Sequence, residues 1–313
     1  MYLGIEIGGT KLQLGIGSGD GVVTHLWRGT VAPAEGAAGI RRQIERALPE
    51  LLAQARLTND DLRAAGIGFG GPVDDRRQRT IKSHQIAGWD DFPLGAWLQQ
   101  RLPVPVALGN DADVAGLGEA LYGAGVGTSP LFYVTIGSGI GGGLILNNDI
   151  YRACGRGAAE IGHLRASVPG SAKCVPLEQI ASGWAIQDAA RQATGNAELT
   201  TQDVARAALA GDATANAILM AAREAFAEAL CHVIALVCPQ RVVLGGGVSL
   251  IDESLWLTPI RTLVAQRVFA PFADCYDIVP AALGESAVVH GAIGLAAKRV
   301  AIDGQATDGE WSI

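Results

Sequence analysis

Two glycine-rich segments have the composition of a phosphate-binding turn. Gly8-Gly9-Thr10-Lys11 follows an apolar run at residues 3–7, and Gly137-Ser138-Gly139 follows another at 131–136. Glycine permits positive φ and close approach, so successive backbone N–H groups can converge on an oxyanion, and Lys11 adds a positive charge. A second apolar run comes after each segment, which predicts two β-hairpins. For the first segment, taken by itself, an ordinary hairpin with an exposed lysine is an equally good interpretation.

The residues after these glycines exclude two familiar nucleotide-binding patterns. A Walker loop ends in Gly-Lys-Ser/Thr and opens a helix, whereas Gly9 precedes Thr10 and a run typical of a strand. Residues 137–142 match Gly-x-Gly-x-x-Gly, but residues 144–149 read Leu-Ile-Leu-Asn-Asn-Asp. That is a strand with a hairpin turn, and a dinucleotide-binding fingerprint would open a helix instead.

Asp111 stands where a predicted strand meets a predicted helix. The apolar run at 104–108 predicts the strand, and the small residues at 112–122 predict the helix. Ligands of α/β sheets bind at the carboxyl ends of strands, so Asp111 is a candidate general base that accepts the proton of a substrate hydroxyl. Capping of the helix by Asn110 or Asp111 is the alternative interpretation.

The elements that would position these residues fall into two similar halves. The strand, glycine turn and strand at 3–16 recur at 131–146, which predicts two related α/β halves whose glycine hairpins face one ligand. A third glycine segment, at 245–247, comes after a strand predicted at 241–244. The last long helix is predicted at 283–300, with a polar tail from Asp303. Helical spacing at 39–55 places five apolar residues on one side, namely Ile40, Ile44, Leu48, Leu51 and Leu52.

Composition limits the partners that the chain can be expected to have. Its 313 residues carry a net charge of −7 and contain no long basic run, which argues against nucleic acid or an anionic membrane as the main partner. No signal peptide is recognisable, so a cytoplasmic location is expected. The five scattered cysteines fit reduced thiols. The apolar stretch at 217–237 contains charged residues and therefore predicts a buried helix rather than a membrane span.

In this order the motifs resemble the ROK family of the actin-like and hexokinase-like ATPase superfamily. The most specific match is the glycine loop at 137–143 together with Ala-Glu-Ile-Gly-His at 159–163. Supporting matches are Gly8-Gly9-Thr10-Lys11, Gly70-Gly71-Pro72-Val73, Asn110-Asp111-Ala112, Gly245-Gly246-Gly247 and Leu283-Gly284-Glu285. The resemblance implies two actin-like (ribonuclease H-like) α/β lobes facing a central cleft. The N-terminal lobe would span 1–117, completed by a helix at 285–302, and the C-terminal lobe would span 118–284.

The family pattern also implies roles for individual residues. The sugar would contact Gly71, Asn110, Asp111, Glu160, His163 and Glu178, with Asp111 as the catalytic base. The phosphates of ATP would meet Gly8, Gly9, Thr10 and Lys11 from one side and Gly137, Ser138 and Gly139 from the other, and Gly245 and Gly246 would flank the adenosine. Glu160 and His163 are three residues apart and would share a face in a helical turn. Whether His84 lines the same site is left open by the sequence.

The chain departs from the family pattern at two points. Most ROK kinases bind zinc through the histidine that matches His163 and a run of three cysteines, but between residues 164 and 178 this chain has Cys174 alone. A structural zinc ion takes four ligands, so no zinc site is expected. Glu6 stands where the family has an aspartate that holds Mg²⁺, and in this chain the contact is expected to run through water. A glutamate facing solvent at the end of a strand is the alternative for Glu6.

The resemblance points to an ATP-dependent sugar kinase that depends on Mg²⁺, with glucose as the expected substrate. N-acetylmannosamine, fructose and cyclitols stay open as alternatives, because the sequence does not reveal the shape of a pocket. A sugar-binding regulator with little turnover is the alternative from a different functional class. The family also implies a homodimer.

Overall fold

The computed structural model describes residues 1–83, 85–155, 157–168 and 172–308, so His84 lies outside the described residues. The chain divides into two compact units. Of the described residues, the first unit contains 1–126, 148–158 and 285–308, and the second contains 127–147 and 159–284.

The chain forms groups of consecutive strands that are separated by helices. The strands are β1 (Tyr2–Ile7), β2 (Lys11–Gly17), β3 (Val23–Thr30), β4 (Ala64–Phe69), β5 (Val73–Asp74), β6 (Arg79–Thr80), β7 (Val106–Asn110), β8 (Leu131–Ile136), β9 (Ile140–Leu146), β10 (Asp149–Ile150), β11 (Arg165–Ser167), β12 (Cys174–Pro176), β13 (Arg241–Gly245) and β14 (Asp277–Pro280). The α-helices are α1 (Gly36–Ala55), α2 (Leu94–Gln99), α3 (Asp111–Tyr122), α4 (Glu178–Ala181), α5 (Gly183–Thr194), α6 (Thr201–Leu209), α7 (Ala213–Val237), α8 (Leu257–Arg267) and α9 (Ala287–Asp308).

The sheet of the first unit has the strand order β3-β2-β1-β4-β7. β1, β2 and β3 pair antiparallel, whereas β1, β4 and β7 run parallel, so the carboxyl ends of these three parallel strands lie at one edge. α1 packs against the sheet through the predicted stripe, and all five of its apolar residues are buried, which confirms that prediction.

Glycines allow α9 to approach this sheet closely. A Cβ at Gly4 would lie 2.7 Å from the carbonyl oxygen of Val289, and a Cβ at Gly66 would overlap the carbonyl oxygen of Ala292. The helix therefore packs on β1 and β4 with backbone against backbone. α9 extends to Asp308, beyond the predicted helix end at residue 302.

In the second unit, β9, β8, β13 and β14 lie side by side in that order. β8 and β9 form an antiparallel hairpin, and β8, β13 and β14 run parallel. α7 includes the apolar stretch at 217–237 and buries one side, including Leu219, Phe226 and Leu230, in the core of this unit. Two separate sheets covered by helices confirm the predicted α/β class. No helix among the described residues has both the length and the apolar character needed to cross a membrane.

The boundaries of the two units differ from the boundaries predicted for the two lobes. The predicted boundary after residue 117 falls inside α3, which continues to Tyr122, and the first unit ends at Val126. Residues 148–158 also pack with the first unit. Their position is fixed by an ion pair between Arg152 Nε and Asp75 Oδ2 at 2.6 Å and by buried Ile150.

Candidate active site

The turn between β1 and β2 presents backbone donors, as a phosphate-binding turn requires. The Gly8 N–H donates to the Lys11 carbonyl at 3.0 Å and closes the turn. The amides of Gly9 and Thr10 have no acceptor among the residues that the structure describes. Gln85 lies directly against Gly9, because a Cβ on that glycine would overlap the Gln85 carboxamide. This contact was not predicted, since nothing in the sequence links a loop at residue 85 to the turn.

Glu6 is buried beneath this turn and does not face solvent as the alternative interpretation had it. It is 5% exposed, and its Oε1 pairs with Lys11 Nζ at 3.0 Å. In the orientation that gives both its nitrogen and its oxygen a hydrogen-bond partner, the Gln13 carboxamide donates to Glu6 Oε2 at 3.2 Å. The Lys11 ammonium also donates to the carbonyl of Glu285 at 3.1 Å. The hairpin is thus tied to the segment that leads into α9.

Burial raises the pKa of the Glu6 carboxyl from an ordinary 4.5 to about 7. The ion pair with Lys11 opposes this shift, and the carboxylates of Asp111 and Glu285 add to it. Two further carboxylates therefore act on Glu6 in addition to the Lys11 ammonium. This charge balance favours a bound cation, since a cation would stabilise the ionised form of Glu6.

In metal-free buffer, we expect the wild-type protein to lose about 2 kcal/mol of stability relative to Glu6→Gln between pH 5 and pH 8. The folded-state pKa of about 7 lies above the unfolded value of 4.5, so folding favours the protonated carboxyl. That contribution is fully present below pH 4.5 and is lost as the pH rises through 7. Denaturant unfolding in EDTA at both pH values measures it. Glu50→Gln, at an exposed glutamate of α1, is the control. The same pH dependence in wild type and Glu6→Gln would contradict the burial argument.

Asp111 lies at the edge where β1, β4 and β7 end. It is the first residue of α3 and comes directly after β7. A Cβ added to Gly70 would lie 3.4 Å from Asp111 Oδ2 and 3.5 Å from the Gly8 Cα. The first unit therefore brings Asp111, Gly70 and the phosphate turn together.

The capping role at α3 belongs to Asn110. Its Oδ1 accepts from the amides of Ala112 at 2.9 Å and Asp113 at 3.3 Å, while its Nδ2 donates to the carbonyl of Gly71 at 3.1 Å. Asp111 Oδ1 also accepts from the Ala112 amide at 2.9 Å. Since Asn110 already caps the helix, the cap alone does not account for an aspartate at position 111. Gly71 has no room for a side chain, because a Cβ there would be 2.6 Å from the Lys82 carbonyl.

The second hairpin repeats the arrangement of the first. The Gly137 N–H donates to the Gly139 carbonyl at 3.0 Å, and the amides of Ser138 and Gly139 have no acceptor within the described part of the chain. The Gly183 amide, at the start of α5, donates to the Gly137 carbonyl at 2.8 Å. Because the helix holds the carbonyl side of the turn, the remaining amides stay available to an anion.

The third glycine segment meets this turn. Gly246 has φ +85°, and a Cβ there would be 2.5 Å from the Ile136 carbonyl oxygen, at the end of β8. Gly245 faces the buried hydroxyl of Tyr133, which a Cβ would overlap. The second unit thus brings Gly137, Ser138 and Gly139 close to Gly245 and Gly246.

Glu178 lies beside the second hairpin. Its Oε2 would be 3.0 Å from a Cβ on Gly139. Glu160 and His163 belong to the turn that packs on β9, where Gly142 approaches the Ala159 carbonyl and Gly162 approaches the Ile140 carbonyl. The residues Ile161–His163 form a 3₁₀ turn, in which side chains three positions apart lie over each other. Both Glu160 and His163 are exposed in this unit.

The sequence predicts a magnesium ion held by Glu6 and no zinc site. No group of three or more His, Cys, Asp or Glu side chains lies close enough to hold a metal within residues 1–83, 85–155, 157–168 and 172–308. Mg²⁺ commonly binds one or two carboxylates together with water and substrate phosphates, and buried Glu6 fits that mode. The absence of zinc stays a prediction.

Comparison with known proteins assigns this arrangement to a family. The ROK family profile matches residues 2–299. A glucokinase of Halalkalibacterium halodurans is 31% identical over 309 residues, with 93% of each chain covered. The crystal structure of a ROK family glucokinase from Streptomyces griseus, in complex with glucose and AMPPNP, superimposes with a TM-score of 0.80 at 31% identity, over 95% of this chain and 99% of that one. The ROK hexokinase of Thermus thermophilus gives a TM-score of 0.79 at 29% identity, over 98% and 99% of the two chains. These similarities confirm the predicted actin-like α/β fold.

Proposed function

This chain belongs to the ROK family, and from that membership and the geometry of its sites we propose that it transfers the γ-phosphoryl group of ATP to the primary hydroxyl of glucose. The observation that carries the proposal is the placement of Asp111. Its carboxylate lies beside Gly70 and close to the first phosphate turn, while Asn110 caps the helix. Relatives with glucokinase names favour glucose over the other sugars.

Asp111 acts as the general base in this proposal. The hydroxyl oxygen of the sugar attacks the γ-phosphorus, its proton passes to a carboxylate oxygen of Asp111, and the bond to the β–γ bridging oxygen breaks to release ADP. Phosphoryl transfer needs little covalent chemistry from a protein, so positioning and charge stabilisation provide most of the rate. The remaining sugar hydroxyls bind to Gly71, Asn110, Glu160, His163 and Glu178. Amide and carboxylate partners that a bound sugar removes from water discriminate against sugars that leave them unpaired.

The two glycine hairpins bind the nucleotide. Gly9 and Thr10 provide backbone donors to the outer phosphates, Gly8 closes the turn that presents them, and Lys11 provides charge. Ser138 and Gly139 contribute their amides, the Gly137 carbonyl anchors that turn on α5, and Gly245 with Gly246 flanks the adenosine. Support comes from the amides of both turns that lack an acceptor in the described residues.

In this proposal, Glu6 would hold Mg²⁺ through water. When bound, the ion neutralises charge on the triphosphate. Support comes from the buried Glu6 carboxyl, whose raised pKa reflects desolvation together with the nearby acidic groups Asp111 and Glu285. Lys11 would then be shared between Glu6 and the phosphates. The longer side chain of glutamate is compatible with an intervening water.

We further propose a compartment, an oligomeric state and a set of excluded partners for the enzyme. The enzyme is a cytoplasmic homodimer without zinc and without a nucleic acid or membrane partner. The net charge of −7 supports the absence of nucleic acid and membrane partners, and the single cysteine between residues 164 and 178 supports the absence of zinc. Sedimentation analysis tests the dimer, and elemental analysis of the purified protein tests the absence of zinc.

A coupled ADP-release assay against a panel of sugars tests the proposed activity. We expect glucose to give the highest kcat/KM among glucose, mannose, fructose, N-acetylmannosamine and inositol. A clear preference for another member of the panel would overturn the assignment of glucose while leaving the kinase activity in place. Sugar binding without sugar-dependent ADP release would instead identify a regulator.

A further inference from the structure

The side chain of Trp184 is exposed, whereas three other tryptophans of the protein are buried. Trp89, Trp97 and Trp256 are at most 8% exposed, whereas Trp184 is 51% exposed. It is the second residue of α5, an amphipathic helix that buries Ile186 and Ala190 on its other side. About half of the Trp184 side chain is in solvent, so part of the indole ring is accessible to a ligand.

The backbone around Trp184 joins two of the glycine segments. The Trp184 amide donates to the Ser138 carbonyl at 3.4 Å. This hydrogen bond lies next to the one from the Gly183 amide to the Gly137 carbonyl. On the other side, a Cβ on Gly183 would be 3.4 Å from Cγ2 of Val248, two residues after Gly246. The backbone of Trp184 therefore lies between the second phosphate turn and the segment proposed to flank adenosine.

This position is rigidly held. The buried hydroxyl of Thr201 donates to the Gly183 carbonyl at 3.1 Å. Ser182 caps α5 by accepting from the Ala185 amide at 3.2 Å. An aromatic side chain on a fixed backbone can stack on a planar base with little loss of conformational freedom.

We infer that Trp184 forms the stacking surface for the purine base of the nucleotide. The inference rests on the proposed function, since it assigns a base-recognition residue to the same nucleotide site. Stacking uses the π-face of the base and favours the larger purine ring system over a pyrimidine. Trp184 thus makes the protein prefer ATP and GTP over CTP and UTP as phosphoryl donors.

Two substitutions at this position test the inference. From the usual contribution of one aromatic stacking contact, we expect Trp184→Ala to weaken ADP binding about tenfold, measured by calorimetry. Trp184→Phe should recover most of the affinity. The KM for glucose should stay within about twofold of wild type. Wild type should prefer purine over pyrimidine donors, and Trp184→Ala should lose most of that preference. Phe269→Ala, at an aromatic residue that is 58% exposed in the same unit, is the control and should leave ADP binding unchanged.

The possible outcomes separate this inference from the proposed function. Unchanged ADP affinity and unchanged donor preference in Trp184→Ala would overturn the inference while glucose phosphorylation stands. If Trp184→Ala instead converts a dimer into a monomer without affecting ADP binding, the ring belongs to an interface between two copies of the chain and the inference is wrong. ADP binding that depends on Trp184, in a protein that phosphorylates no sugar, would support the inference and overturn the proposed function.

Discussion

Replacing Asp111 by asparagine should reduce turnover by at least about 100-fold and leave the fold intact. A positioned general base typically contributes about 10²- to 10⁴-fold, and asparagine keeps the size of the side chain but cannot accept the proton. Stability should change little, because Asn110 caps α3 through bonds to the Ala112 and Asp113 amides. The measurement is the steady-state kcat for glucose, together with the melting temperature of each protein.

Two control variants make this result specific. Asp60→Asn makes the same chemical change at an exposed residue of the 3₁₀ turn Asn59–Asp61 and should keep wild-type kcat. Asn110→Ala removes the cap and should lower stability by about 1 kcal/mol, whatever its effect on sugar binding. If folded Asp111→Asn keeps more than about a tenth of wild-type turnover, Asp111 is not the base.

Gly246→Ala should raise the KM for ATP at least about tenfold and lower the melting temperature. Gly246 has φ +85°, where an alanine costs on the order of 1–2 kcal/mol. Its Cβ would also lie 2.5 Å from the Ile136 carbonyl oxygen, so the segment would have to move away from β8. Since Gly137 comes directly after Ile136, such a displacement affects the phosphate turn and the adenosine segment together. ATP titrations of kcat/KM and thermal unfolding measure the two effects.

The neighbouring glycine provides a matched control. A Cβ at Gly247 would meet nothing within 4 Å, and no positive φ constrains that residue. Gly247→Ala should therefore keep both the KM for ATP and the melting temperature close to wild type. Equal effects from the two substitutions would mean that the close packing of Gly246 against β8 is not what maintains the nucleotide site.

Local sequence patterns were sufficient to predict both hairpins and the strand-to-helix step at Asp111. Each is encoded within about fifteen residues by apolar alternation and glycine, so no long-range contact is needed to recognise it. The stripe on α1 was predictable for the same reason. Motif order then suggested the family, which in turn suggested roles for residues as far apart as Asp111 and Glu178.

Features that depend on distant contacts were not predictable in this way. Glu6 is buried because β1 lies in the middle of its sheet, which its own sequence does not reveal. Gln85 reaches Gly9 from a loop more than seventy residues later in the chain. Residues 148–158 join the first unit through Arg152 and Asp75, a pairing that requires the folded chain. The exposure of Trp184 was not predictable either, since the sequence alone does not distinguish an exposed tryptophan from a buried one.

Phosphorus NMR of the purified protein with ATP, Mg²⁺ and glucose tests the central claim most directly. We predict that the γ-phosphate signal of ATP is replaced by the signals of ADP and of a phosphate ester at C6 of glucose, in equal amounts. Asp111→Asn should show almost no conversion over the same period. Folded wild-type protein that binds glucose and ATP but forms no sugar phosphate, or releases only inorganic phosphate, would contradict the assignment of this chain as a hexose kinase.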